Sequence, residues 1–167
     1  DVPPERWDPA LYFDEDHAAP DKTYSRIGGW VREVPWDAVA WKLPIPPKVA
    51  DQMDEGQRWA LSAARSALID AGWPGWNVDS DRVAVILGNA IGGEKHYVSS
   101  MRIRLPEMLR HLATAPSLSA LPADVQQRIV EETKAGYLAT QREITEDTMP
   151  GVLANVIAGR VANLFNR

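Results

Sequence analysis

Five consecutive apolar residues, Val83-Ala84-Val85-Ile86-Leu87, three of them β-branched, run into the small-residue stretch Gly88-Asn89-Ala90-Ile91-Gly92-Gly93 and then into a helix-compatible segment from Glu94. An apolar run of that length bounded by turn chemistry predicts a strand buried on both faces, the central strand of a layered α/β domain. The glycines behind it let the backbone turn sharply, or approach another chain or ligand closely, with no Cβ in the way.

Elsewhere the pattern is helical. Asp54-Glu55-Gly56-Gln57 has capping-box spacing, with Asp54 as N-cap and Gln57 at N3, and Gly72 stands where a C-cap belongs, so a helix is predicted over 55–71. Its apolar face carries Ala60, Ala63, Ala64, Ala67, Leu68 and Ala71, small side chains that let a scaffold helix approach its neighbour closely. The turn Gly72-Trp73-Pro74-Gly75-Trp76 leads to the strand. A helix-rich stretch over 94–144 is predicted to break at Pro106, Pro116 and Pro122. Its amphipathic halves carry Tyr97, Met101, Leu105, Leu109 and Leu112, then Val125, Ile129, Val130 and Leu138. Thr148-Met149-Pro150 opens a last helix reaching Leu164, with Thr148 as N-cap, Pro150 in the first turn, and a packing face of Ala154, Ala158, Gly159 and Ala162.

Residues 1–47 carry eight prolines, which break any helix longer than about two turns. Trp7, Tyr12, Phe13, Trp30, Trp36 and Trp41 punctuate the stretch. A disordered segment is poor in aromatics, so this composition predicts an ordered loop region pinned by aromatic anchors, with a short strand or hairpin over 27–34 bending at Gly28-Gly29.

Composition narrows the class. With 167 residues and 45% apolar content the chain is long enough for one domain with a modest core. No stretch approaches the roughly 18 apolar residues of a membrane span, and no basic-then-apolar signal segment opens it, so the default expectation is a soluble cytoplasmic protein. The net charge of −5 argues against nucleic acid, and Arg102, Arg104 and Arg110 read as a solvated helix face. With no cysteine, disulfides, thiolate metal sites and a cysteine nucleophile are excluded within these residues. A first residue of Asp1 rather than methionine predicts a piece of something larger. One strand cannot make a sheet, which points the same way.

Candidate chemistry is sparse. Gly88, Ala90 and Gly93 fill the glycine positions of a dinucleotide fingerprint with the middle one changed, but no second strand ending in an acidic residue follows, and the pattern is set aside. His17 sits in an acidic loop, and His96 and His111 have no partner at i+4, so no metal site is predicted. Ser99-Ser100 lacks the strand-to-helix elbow of a nucleophilic serine. The carboxylates at 14–16 and 131–132 form exposed runs.

Several segments in order nevertheless resemble a β-ketoacyl synthase of the polyketide and polyunsaturated fatty-acid synthase type. They are Pro3-Pro4-Glu5-Arg6-Trp7-Asp8, Pro20 to Gly29, Ile45-Pro46-Pro47, Met53-Asp54 with Gln57-Arg58, and Ala71-Gly72. Gly88 to Gly93, Met149-Pro150-Gly151-Val152-Leu153-Ala154-Asn155 and Ala158-Gly159-Arg160 complete the set. The likeness spans nearly the whole chain and is weakest over 102–143. It implies a thiolase-like layered α/β fold, of which this chain is a helix-rich, internal piece of the N-terminal half. The pieces are an aromatic and proline-rich loop region (1–47), a helix, turn and core strand (48–93), a helical insertion (94–147), and a helix preceding the catalytic elbow (148–167).

The resemblance also implies the chemistry. A cysteine accepts an acyl group from a carrier-protein thioester, and two histidines help decarboxylate a malonyl extender and stabilise the oxyanion. None of these three residues can be placed on this chain, since the family's cysteine lies just beyond the matching Ala158-Gly159-Arg160 helix and the histidines come much later. The fragment alone is therefore expected to be inactive. No cofactor is expected to bind directly. Substrates are expected on the phosphopantetheine arm of an acyl carrier protein, and the implied partners are that carrier, the remainder of the synthase and a homodimer mate. Leu153 matches a position near the closed end of the acyl pocket, against which stands an ordinary core leucine. The loop Gly88, Asn89, Ala90, Gly92 and Gly93 is placed beside the active-site region or dimer interface, against a plain strand-to-helix connection. A different class also fits the composition: a non-catalytic, helix-rich interaction module docking through its aromatic region and helical insertion.

Overall fold

A computed structural model describes residues 2–75, 79–89 and 93–165. They form two compact units, Asp1–Pro35 and Trp36–Arg167. The first is mostly irregular backbone around one short helix, α1 (Pro9–Tyr12), whose N-cap Asp8 accepts from the Ala10 N–H at 2.9 Å. An isolated parallel bridge joins Phe13 to Thr23, and rings stabilise what backbone ladders do not. Trp7 meets Tyr12 edge-on at 6.2 Å, and the Arg26 guanidinium lies 4.4 Å above Phe13. The strand or hairpin expected over 27–34 is absent. Gly28-Gly29 bends no ladder, and Ile27 stands in solvent, because the segment has no strand to pair with.

The second unit is helical: α2 (Pro47–Gln52), α3 (Glu55–Asp70), a 3-10 turn (Ser80–Arg82), α4 (Glu94–Ala113), α5 (Pro116–Ser119), α6 (Ala123–Ala139), α7 (Thr148–Val152) and α8 (Val156–Phe165). α3 packs on α8, α2 on α7, and α4 on α6 with α5 at their end. The core is Met53, Leu61, Val161 and Phe165, covered by Trp36, Leu43, Ile45, Ala64, Leu68, Trp73, Val85 and Leu164.

α3 follows its sequence to within one residue. Past its C-cap Ala71, Gly72 takes φ +96°, a conformation that only glycine adopts freely. The Gly72 and Trp73 N–H groups then return to the Ile69 and Leu68 carbonyls, both at 2.9 Å, closing a Schellman motif with Trp73 and Leu68 both packed on the core. Its buried stripe is not the alanine face. Gln57, Leu61 and Ser62 are buried while Ala63, Ala67 and Ala71 are exposed, because burying a leucine removes more apolar area from water than burying an alanine.

Three further expectations are corrected. Val83 to Leu87 is not a strand and is exposed apart from the half-buried Val85: among the described residues there is no β-strand, and Ile86 is 89% exposed. A strand exists only as half of a ladder, and these residues supply no other half. Pro106 does not break α4, which runs through it; the exposed proline forfeits one hydrogen bond while the helix keeps its packing on α5 and α6. Pro116 and Pro122 do sit at helix starts. The last helix is two, α7 and α8, parted at Leu153–Asn155. Thr148 is inside α7 rather than its cap, and α8 buries Ile157, Val161 and Phe165 while Gly159 is exposed.

Candidate functional site

The junction between α2 and α3 organises the second unit. Asp54, only 6% exposed, places one carboxylate at two helix starts. Its Oδ1 accepts from Gly56 N–H of α3 at 2.9 Å and its Oδ2 from Lys95 N–H of α4 at 3.1 Å. Both helix dipoles present their positive ends to this anion. The approach is so close that a Cβ at Gly93 would overlap the Asp54 carboxylate.

The same junction holds α7. The Asp54 N–H donates to the Gly151 carbonyl at 2.8 Å, and Thr148 Oγ1 donates to Gln52 Oε1 at 2.9 Å. A Cβ at Gly151 would overlap the Gln52 carbonyl, so contact between α7 and the α2 backbone requires glycine there. Gln57, 1% exposed, does not close a capping box. Its Nε2 reaches across to the carbonyls of Pro150 at 2.9 Å and Leu153 at 3.3 Å. Continued helix would satisfy those two oxygens from the N–H groups of residues 154 and 157; here the Gln57 amide takes the place of the first, and at the Leu153 carbonyl it is joined by the Val156 N–H at 3.3 Å, where the helix opens into the elbow.

Cations gather at this same C-terminal end of α2. Arg58 Nη2 donates to the Ala50 carbonyl at 2.7 Å, Lys95 Nζ to the Asp51 carbonyl, and Arg142 Nη1 to the same carbonyl at 3.3 Å. They fill acceptors that the helix end leaves open. Partial burial, with Arg58 and Arg142 close by, pushes the Lys95 ammonium down from the ordinary 10.5 to about 8. A cavity of about 260 Å³ opens beside this cluster, lined by Asp54, Lys95, Ser99, Arg142 and Thr148 among others. Toward the C-terminal end of α3, an apolar groove of about 200 Å³ runs between Ala64, Leu68, Val83, Val85, Val161 and Phe165.

The residues singled out by sequence fall as follows. Leu153 caps α7 in an extended conformation (φ −76°, ψ 124°) at the elbow and is 40% exposed, so it is not a core leucine of these residues. Gly88 and Asn89 are exposed, and a Cβ at Gly88 would meet nothing within 4 Å. Among the described glycines of that loop, a close approach depends on Gly93. Ala90 and Gly92 lie outside the described residues. His17 stacks on Tyr24 at 4.0 Å, His96 meets the Tyr97 ring edge-on, and among the described residues no three acidic or histidine side chains gather as a metal site. Local pattern does not predict Asp54 as a double cap, Gln57 as a donor to the elbow, or the close approach at Gly151. The partners of Asp54 Oδ2 and Gln57 lie 41 to 96 residues away in sequence, beyond any local signal.

The family model for the β-ketoacyl synthase N-terminal domain matches residues 1–167. The chain belongs to the β-ketoacyl synthase family. This ketosynthase domain is 29% identical over 170 residues to a polyunsaturated fatty acid synthase of Thraustochytrium sp. (strain ATCC 26185 / S-3), a match covering 99% of the chain and 6% of that protein. Polyketide synthase PksL of Bacillus subtilis (strain 168) is 36% identical over 93 residues, which are 55% of the chain and 2% of the relative. A phenolphthiocerol/phthiocerol polyketide synthase of Mycobacterium tuberculosis (strain CDC 1551 / Oshkosh) is 36% identical over 88 residues, covering 52% and 5% respectively. No solved structure matches the chain. The ketosynthase domain therefore spans a small fraction of its curated relatives, which are large synthases.

Proposed function

We propose that this domain is the N-terminal part of a thiolase-like α/β condensing enzyme that extends a carrier-bound acyl chain by decarboxylative Claisen condensation with a malonyl extender. The match of the ketosynthase N-terminal family model across residues 1–167, with polyketide and polyunsaturated fatty acid synthases as relatives, carries the proposal. Two features support it. Among the described residues nine hydrophobic side chains are buried and eighteen large ones are exposed, including Val83, Ile86 and Leu87, so apolar faces stand ready for the rest of a synthase. Leu153 projects from a braced elbow, where a residue bordering a substrate pocket belongs.

In this reaction a thiolate attacks the acyl thioester and releases the carrier thiol. The malonyl group then loses CO2, and its carbanion attacks the enzyme-bound acyl carbon, returning the thiolate. These 167 residues hold no cysteine, so the acyl group is accepted elsewhere in the synthase. The substrates arrive on phosphopantetheine arms of an acyl carrier protein, and the working form is a homodimer in the cytoplasm. The test is acyl loading of the full-length synthase from a thioester, followed by peptide mass spectrometry. Acylation at a cysteine outside these residues is expected. A stable acyl group on a side chain within them would overturn the assignment, and a protein that takes none would favour a non-catalytic interaction module.

A further inference from the structure

Gln57 is a long polar side chain, almost fully buried one turn before Leu61 on the buried face of α3. Its Oε1 is buried and, among the described residues, without a hydrogen-bond partner. A leucine of similar bulk would avoid that open acceptor and stabilise that face. What leucine could not do is donate. Gln57 Nε2 donates to the Pro150 carbonyl, whose next-turn N–H partner at residue 154 is turned away, and to the Leu153 carbonyl, which it shares with the Val156 N–H at 3.3 Å where α7 gives way to α8. The Leu153 N–H still closes α7 on Met149 at 3.2 Å, so Leu153 is the residue at which the backbone leaves the helix, with ψ 124°.

The geometry points to Gln57 as a positioning residue for acyl chain length: its paired hydrogen bonds keep the α7–α8 elbow open and so fix where the Leu153 side chain stands. The inference rests on the proposed placement of Leu153 at the end of the acyl pocket. Gln57 touches no substrate; it acts through the backbone that carries Leu153. Without the donor, the Leu153 carbonyl keeps the Val156 N–H, and the Pro150 carbonyl turns to the N–H of residue 154. The Leu153 ψ then turns from 124° toward the helical value of about −42°, which rotates α7 and the Leu153 side chain relative to α8. A long acyl chain, which reaches the pocket end, is affected, and a short one is not.

The experiment compares full-length synthase carrying Leu153→Phe, Gln57→Leu or Gln57→Glu with the parent, on one short and one long acyl primer. Hydrogen exchange is followed over residues 150–157. For Gln57→Leu, kcat/KM for the long primer is expected to fall about 10-fold, the factor matching one net hydrogen bond, with the short primer changing less than about twofold. Exchange at the elbow changes in parallel. Gln57→Glu gives the same defect at pH 8 and recovers part of it at pH 6, since a buried acid facing two carbonyls regains one donor when protonated. That recovery is not expected of a residue that only fills space. Equal losses on both primers, or none, in the Gln57 variants while Leu153→Phe remains chain-length selective would overturn the role of Gln57 alone. Loss of selectivity by Leu153→Phe itself would overturn the pocket placement on which it rests. If Gln57→Leu does not fold, Gln57→Glu across the two pH values decides.

Discussion

Replacing Asp54 by alanine removes a single carboxylate and uncaps two helices. The loss is worked from two contacts, Oδ1 to Gly56 N–H at 2.9 Å and Oδ2 to Lys95 N–H at 3.1 Å. Each capping interaction contributes about 1 kcal/mol, and a buried donor left open raises that to about 1–3 kcal/mol, so local destabilisation of about 2–4 kcal/mol is expected at the starts of α3 and α4 together. Because the side chain is nearly buried, solvent does not screen this loss. The exposed Asp51–Arg142 pair, at 3.3 Å, is the contrasting case: removing the Asp51 carboxylate costs less than about 1 kcal/mol, as the Lys95 and Arg142 bonds go to its main-chain carbonyl instead. Hydrogen exchange on peptides covering 54–60 and 93–99 in the full-length synthase reads the difference. A loss of about 2 kcal/mol accelerates exchange about 30-fold at both helices. Asp54→Asn, which keeps one acceptor oxygen, falls between parent and alanine. Acceleration at only one helix would contradict the shared cap, and no acceleration at either would refute the reasoning.

Three other outcomes are expected. Leu153→Phe shortens the longest acyl chain the synthase accepts, because overpacking costs typically about 1–3 kcal/mol only for substrates that reach the site; equal loss on short and long primers would sink the pocket assignment. Lys95, lowered to about 8 in the folded protein from the ordinary 10.5, opposes folding while charged in both states; stability therefore rises with pH through the window from about 8 to 10.5. Amine acylation followed against pH gives a midpoint near 8 at Lys95, and a midpoint at the ordinary 10.5 would contradict its burial. Pro106→Ala restores an N–H inside α4 at an exposed position and raises the thermal midpoint, the interior proline costing up to about 3 kcal/mol; a lowered midpoint would mean that the ring is needed where it stands.

What is legible in the sequence is local chemistry. The start of α3 at Asp54, its end at Gly72 and the breaks at Pro116 and Pro122 are decided by residues within a few positions of one another. The strand expected at Val83 does not form among these residues because apolarity marks a segment that wants burial but does not supply the ladder. The break expected at Pro106 does not occur because packing against α5 and α6 outweighs one missing hydrogen bond. The bracing of the elbow at Leu153 is invisible in the sequence because its donor is a side chain 96 positions away, and no periodicity records a donor arriving from another helix. The family resemblance rests on Met53-Asp54, Gln57-Arg58 and Met149 to Asn155, among others, and these segments meet at the α2–α3 junction: Asp54 and Gln57 hold Pro150, Gly151 and Leu153.

Condensation itself tests the central claim most directly. Full-length synthase is incubated with acyl-loaded and malonyl-loaded carrier protein, and the mass on the phosphopantetheine arm is read beside a parallel incubation with the 167-residue chain alone. The account predicts a β-ketoacyl arm two carbons longer than the primer, with one CO2 released per turnover, from the synthase and nothing from the chain alone. Carbon-carbon bond formation by the isolated chain, or a folded full-length protein that condenses neither short nor long primers, would contradict it.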